Sequence, residues 1–573
     1  MENCYFHFQE LKWSQLKLTL RPTRFTTLQT IFLFYTIEVI GGVSAIGFTT
    51  PIKGNQFVYM ARLNQSISGT PTSDWFLSTP DSNPIFTAIC KMLVFGNTYL
   101  FINILNISLI FLSFHYLIEI ARVILGVKNR SRDHLFLITI AILGFCIYTP
   151  DLSNGLAGMG SFSPQFQPSS FDGLLFLSIY NILKFSDKPS YRFSKISVVL
   201  PCIVAVLIHP SIFLSAFIVL LAFLLMASNI LERIRKTKFS FVKWLLCLAF
   251  VALPFIFKYI SIENLIYSRS EVEAFDFLAY SRIPYHVIPS NFMDISESFR
   301  FTTIIVGTLI VFRSKKLNAL PRIFIISMSS LFIYFSLSVI MIDKSVFFLT
   351  VPWRISGVLY PILALVVLWK ILLNLTDKKP KQSQVIVFIK LTGVATFFFS
   401  QNMTKFLIIY LCIWIVRTNH FHGQRDRVSI LKNKKSLGVF GITSISMLLG
   451  IMAQTSTTQT WRNNPEGFPD GAELFKLELQ GIGLVPPQFD DFRVAYGLSI
   501  FVDSKALPFD GEYLAEWVKR LKIAERAQIQ PEKLCSETSL SQVSWAIVPS
   551  GAPSPSCFHK RTEISHSWSL LER

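Results

Sequence analysis

Charge is scarce in this chain, and acidic charge scarcer still. Only 16% of its 573 residues are charged, with 35 Asp and Glu against 54 Lys and Arg. With 51% hydrophobic residues and a mean hydropathy of +0.48, the composition is far from that of an ordinary soluble domain, and lipid is the solvent it suits. No nucleic-acid-binding motif accompanies the formal charge of +19. The basic residues instead cluster in short gaps between alternate apolar runs, where they stop translocation, so the nucleic-acid reading is disfavoured. Metal-ligand spacings such as CxxC are missing from the eight cysteines, and six of them (Cys4, Cys90, Cys146, Cys202, Cys247, Cys412) read as small apolar fillers. No small-residue cleavage site follows the first apolar run, so the first helix is expected to stay attached.

What is present is a succession of long apolar stretches. The first, roughly 26 to 48, is long enough to cross a hydrocarbon core and holds Glu38 as its single charge, which should face protein. Further runs lie near 98–121, 134–149, 170–184, 195–209, 210–227, 241–259, 300–313, 321–342, 355–373, 384–400, 403–416 and 437–453, which makes about thirteen spans. The pair flanking His209 is short enough to be re-entrant. The 54 Phe residues fall largely inside such runs, as expected for side chains that face acyl tails or fill helix contacts. Basic gaps (KNRSR at 128–132, ERIRKTK at 232–238, RSKK at 313–316, DKKPK at 377–381 and residues 425–435) alternate with gaps poor in Lys and Arg. The positive-inside rule then makes residues 1–25 cytoplasmic, residues 26–454 a multispanning domain with an external loop at 51–97, and residues 455–573 non-cytoplasmic. After Gln454 the composition shifts to a small soluble α/β pattern: strand-like stretches at 492–502 and 543–549 flank a helical stretch at 512–526. That region carries no nucleophile elbow, Walker loop, metal-ligand pair or Gly-rich dinucleotide loop, which favours recognition or support over catalysis there. In an oxidising compartment Cys535 and Cys557 could form one disulfide.

Polar groups held near an apolar boundary are the informative ones in such a chain. Asp74 beside Trp75 in the first external loop suits a general base with a sugar-stacking indole, or else an Asx turn or helix cap. The stretch 150–172, rich in Gly, Ser and Pro, could line a polar cavity with Gln165 and Gln167, or be a plain turn. His209 precedes Pro210 in the middle of an apolar hairpin and is either a structural hydrogen-bonder or a ligand group. Arg282, His286 and Arg354 are expected at external helix mouths, where two guanidinium forks and an imidazole suit a phosphate; pairing with Asp276, Asp294, Asp343 or lipid headgroups is the alternative.

At these same residues the chain resembles a family of multispanning bacterial membrane proteins related in layout to the GT-C glycosyltransferases. The resemblance rests on Asp74-Trp75, on GSFSPQFQPSSFDGLLFL (160–177) followed by His209-Pro210, on Arg282-Ile283-Pro284-Tyr285-His286, and on VPPQFDDFRVAYGLSIFVDSKALPF (485–509) followed by Glu516-Trp517. The family pattern favours a paired His where this chain has Tyr285-His286. The resemblance implies an α-helical polytopic fold in the inner membrane and transfer of a sugar from a polyprenyl-phosphate carrier to a glycan, lipid or protein acceptor. It further implies Asp74 as base, with Arg282, His286 and Arg354 steadying the leaving phosphate, and no nucleotide-sugar site; no metal-ligating residue is singled out, and cofactor and metal requirement stay open. A transporter or flippase for a lipid-linked anion is the rival from another class, although no internal repeat is evident. A scaffold whose tail binds a partner is a third, and there the tail should be separable from any membrane activity.

Overall fold

The tertiary structure is a computed structural model that describes residues 58–59, 61–63, 74–81, 83–93, 98–127, 134, 137–138, 141, 167–187, 195–235, 266–288, 295–314, 319–376, 479–489, 492–493, 498–504, 506–508 and 510–573. It is mostly helical, with a small C-terminal sheet. In the first loop, α1 (Trp75–Ser78) and α2 (Pro84–Leu93) are short; α3 (Thr98–Leu125) runs about 42 Å at 1.5 Å per residue. A 3-10 turn, Pro168–Gly173, leads into α4 (Leu174–Asp187), followed by α5 (Lys195–Ile208) and α6 (Phe213–Arg235). Pro210 lacks the amide that would continue α5, so the chain breaks at His209 and restarts through a 3-10 turn. Then come α7 (Arg269–Asp276), a π-helical turn at Phe277–Arg282, α8 (Ile295–Arg313), α9 (Ala319–Ile342) and α10 (Ser356–Thr376). These helices coincide with the apolar runs at 98–121, 170–184, 195–209, 210–227, 300–313, 321–342 and 355–373. The first run and those at 241–259, 384–400, 403–416 and 437–453 lie outside the described residues, as does most of 134–149.

Four stretches among the described residues are long and apolar enough to cross a bilayer: Ile104–Leu125, Pro210–Ala227, Ala319–Ile342 and Ser345–Lys370. Their packing is that of a bundle, α3 on α4, α4 on α5, α6 on α9 and α8 on α10, around one buried cluster that includes Phe114, Phe176, Phe324, Phe332, Trp353 and Leu363. On α5, Ile196, Leu200, Ile203 and Leu207 are 46–67% exposed and recur at helical spacing on one face. Leu224 on α6, Leu309 and Phe312 on α8, and Leu337 on α9 extend this outward apolar surface.

The C-terminal unit is a five-stranded sheet in the order β2-β1-β3-β5-β4, from β1 (Ile482–Leu484), β2 (Ser499–Ile500), β3 (Val543–Pro549), β4 (Lys560–Glu563) and β5 (Trp568–Glu572). Pairing of β1 with β2 and with β3 is parallel; β5 pairs antiparallel with β3 and β4. Alternation along β3 divides the core. Ala546 and Val548 join Leu514, Trp517, Val518 and Leu521 of α11 (Gly511–Ile529), while Trp545 and Ile547 join Val485, Phe489 and Phe492. Cys535 and Cys557 are disulfide-bonded, with Cα atoms 5.6 Å apart. Within the stretch expected as a strand over 492–502, Ser499–Ile500 is strand, whereas Phe492 and Arg493 are helical and Arg493 enters a buried ion pair; residues 494–497 lie outside the described residues. The tail also packs on the helical part of the chain. Ala274, Phe275 and Leu278, from α7 and the π-helical turn, belong to the same core as α11 and β3, and α7 packs along α11.

Candidate functional site

The residues singled out in sequence fall into two places. Asp74 caps α1: its Oδ1 accepts from Leu77 N at 3.3 Å, while Oδ2 accepts from Arg493 Nε at 2.6 Å and from Ile500 N at 3.0 Å. The side chain is 1% exposed, and Arg493 is also paired with the equally buried Asp503. One oxygen therefore caps α1 and the other holds the C-terminal unit, a buried setting that suits an anchor. The cap alternative is thus the one realised at Asp74. Two guanidinium groups approach the Phe76 ring, Arg62 at 4.2 Å and Arg493 at 5.3 Å from its centroid. Buried Arg62 in turn donates to Thr79 O and Phe76 O at 3.0 and 3.1 Å, and burial pulls its guanidinium below the usual range while Asp81 and Asp74 oppose that pull.

Trp75 has Arg520 over its ring at 4.5 Å, so one face is already covered. Arg282 donates to Ser504 O at 3.2 Å and thus also belongs to the seam with the C-terminal unit. His286 lies in the short helix Pro284–Val287, and its side chain is outside the described residues. Asp74, Trp75 and Arg282 therefore mark where the first loop and the π-helical turn meet residues 493–520.

His209 and Arg354 come together elsewhere. Arg354 Nη1 is 3.4 Å from His209 Nε2 and hydrogen-bonded to Ser211 Oγ, which in turn contacts Nε2; His209 Nδ1 is 2.8 Å from Asp172 Oδ1. A guanidinium has no acceptor lone pair, so the directions follow. Arg354 donates to Ser211 Oγ, the serine hydroxyl donates to Nε2, and the remaining imidazole proton sits on Nδ1, donated to the Asp172 carboxylate. His209 and Asp172 are 15% and 13% exposed.

Each element has a local reason for its position. The Pro210 break leaves His209 outside both helices, at φ −131° and ψ 81°. The turn carrying Asp172 starts at Pro168 and lies so close on α3 that a Cβ on Gly173 would fall on Ser113 Oγ. Arg354 lies in the 3-10 turn Pro352–Ile355, entered through Val351 at φ 45°, a left-handed conformation that is a true outlier for a β-branched residue. Tyr59 completes the surroundings. Burial pushes its hydroxyl up to about 12, with the nearby Arg354 charge pulling the other way. Its ring meets Phe86 edge-on at 5.4 Å, and Phe86 meets Phe171, the residue before Asp172.

Sequence reasoning singled out His209, Arg354 and the stretch ending at 172, but not their union, nor Ser211, Tyr59 or Arg493. For Ser211 the spacing His-Pro-Ser was the available signal, since a proline break holds residues two apart on one side of a turn. Arg493 carried no local signal, because its partner Asp74 lies 419 positions away. No family model matches the chain, and no curated protein matches it either.

Proposed function

We propose that this is a multi-pass membrane protein acting on a lipid-linked anionic substrate at the water–membrane boundary, in the manner of a GT-C-type glycosyltransferase with a polyprenyl-phosphate sugar donor. The observation that carries the reading is the Asp172–His209 pair with Arg354 beside it, at the ends of helices apolar enough to meet lipid. The outward apolar rows on α5, α6, α8 and α9 support membrane residence, since exposed patches of that extent are a liability in water. The Cys535–Cys557 bond supports an oxidising, non-cytoplasmic location for the tail, with residues 1–25 cytoplasmic.

In this mechanism an acceptor hydroxyl replaces Ser211 at Nε2. His209 takes its proton while Asp172 steadies the imidazolium, the acceptor oxygen forms a bond to the sugar C1, and the bond from C1 to the carrier phosphate breaks. Arg354 then balances the charge developing on the leaving phosphate. The base is accordingly His209 rather than Asp74, whose oxygens are occupied. Purified protein offered a panel of polyprenyl-phosphate sugars should release carrier phosphate, with His209→Gln slower by roughly 10²–10⁴-fold. Undiminished turnover in His209→Gln would sink the mechanism. Donor binding with no phosphate release, accompanied by donor movement across vesicles, would favour the flippase instead.

A further inference from the structure

The hydroxyl that stands at His209 Nε2 in this structure belongs to the protein itself. Ser211 Oγ gives its proton toward Nε2, His209 is held from behind by Asp172 at 2.8 Å, and Arg354 donates to the same Oγ. Those are the geometric requirements for an activated serine: a base within hydrogen-bond reach, a carboxylate fixing its tautomer, and a cation that favours the alkoxide. Such a constellation is defined by geometry and role, not by position in the chain, so the two-residue separation of His209 and Ser211 is no obstacle.

We propose that Ser211 is a nucleophile and that this site carries covalent acyl transfer from an ester of a membrane amphiphile. The surroundings select that substrate class. Leu207, before the break, and Phe213 and Phe217, after it, are 51%, 61% and 39% exposed, so the serine is flanked by outward apolar side chains suited to an acyl chain. Phe213 and Phe217 stack on each other at 6.3 Å. In the reaction, Oγ attacks the ester carbonyl carbon while its proton moves to Nε2. The oxyanion so formed is met by the guanidinium of Arg354. Collapse breaks the carbon–oxygen bond to the alcohol, which leaves with the Nε2 proton. An acceptor hydroxyl or water, deprotonated in turn by His209, then attacks the acyl-serine carbon, and Oγ recovers its proton. The step is redox-neutral and needs no further reactant. It shares His209, Asp172 and Arg354 with the sugar-transfer reading but does not depend on it.

The test is labelling of the full-length protein, in detergent, by a fluorophosphonate bearing a long alkyl chain, followed by mass mapping of the adduct. The expected result is an adduct on Ser211 with loss of fluoride, formed at least roughly 100-fold faster than in His209→Gln or Asp172→Asn. An unlabelled Ser211, in micelles where an added serine hydrolase is labelled, overturns the proposal; so does equal labelling in a folded His209→Gln variant. Ser211→Cys supplies a check independent of removing the base. Its alkylation by iodoacetamide should persist well below pH 7, as for an imidazole-paired thiolate, whereas a profile rising only near about pH 8.5, as for a free thiol, overturns the assignment. Sugar transfer without Ser211 labelling, or labelling without sugar transfer, separates the two readings.

Discussion

Replacing Arg493 with Met would remove the cation between two carboxylates that are each 1% exposed, Asp74 and Asp503, while roughly keeping the volume of the side chain. Two buried anions would then face each other with backbone amides but no cation to balance them. Breaking a buried pair in this way costs roughly 3–5 kcal/mol, because the uncompensated charge stays desolvated. Loss of the guanidinium from the face of Phe76 adds about 0.5–1 kcal/mol. For a folding unit near 100 residues each kcal/mol lowers Tm by about 4–8 °C, so the C-terminal unit should melt roughly 12 °C or more below wild type. The assay is a thermal scan of the purified protein with limited proteolysis read at residues 479–573. Asp74→Asn provides the graded companion. Asn can still accept from Leu77 N, but its amide nitrogen would then face the Arg493 Nε and Ile500 N donors, so two hydrogen bonds are lost along with the charge, at a cost of at least about 1.5–3 kcal/mol. A double-mutant cycle between the two positions should show coupling above about 1 kcal/mol. A loss below about 1 kcal/mol in Arg493→Met, with no gain in protease sensitivity, would refute the view that this ion pair holds the unit in place.

Three further outcomes follow from the same structure. Gly173→Ala should push the Asp172 turn off Ser113 and lower turnover at the site by about 10-fold or more while the protein stays folded, measured as phosphate release and serine labelling together. Gly483→Ala places a methyl group against the buried Trp545 ring and should destabilise the sheet by about 1–3 kcal/mol, read by chemical denaturation. Reducing the Cys535–Cys557 bond, which closes a sequence separation of 22 residues, should cost about 3 kcal/mol. In cells, resistance of these two thiols to alkylation until a reductant is added would support the non-cytoplasmic placement of the tail, and ready alkylation would contradict it.

Hydrophobic runs of bilayer length were legible in the sequence because a helix in lipid satisfies its own backbone, so composition over about 20 residues is sufficient signal. The described helices at 98–125, 195–208, 319–342 and 356–376 follow those runs closely. The helix at 511–529, with its apolar face at Leu514, Trp517, Val518 and Leu521, was legible by its period, and Cys535 and Cys557 by their isolation in a polar tail. The short strands β1, β4 and β5 were not, since three to five residues carry too little pattern to distinguish a strand from a loop until a neighbour supplies hydrogen bonds. His209 was legible as unusual, because a polar ring at a proline break in an apolar run calls for a reason.

What the residue did there depended on distant chain. Asp172 lies 37 positions before His209, and Arg354 lies 145 after it. Asp74 shows the same dependence: its place before a short helix made a cap legible, but its buried pairing with Arg493 and Ile500 N comes from the far end of the chain. The sequence by itself determined which segments prefer lipid to water, because that preference is a sum over local side chains. The tertiary structure decided which charges are paired in the seam with the C-terminal unit and which gather around His209, because a charge takes its surroundings from whatever lies within about 4 Å of it.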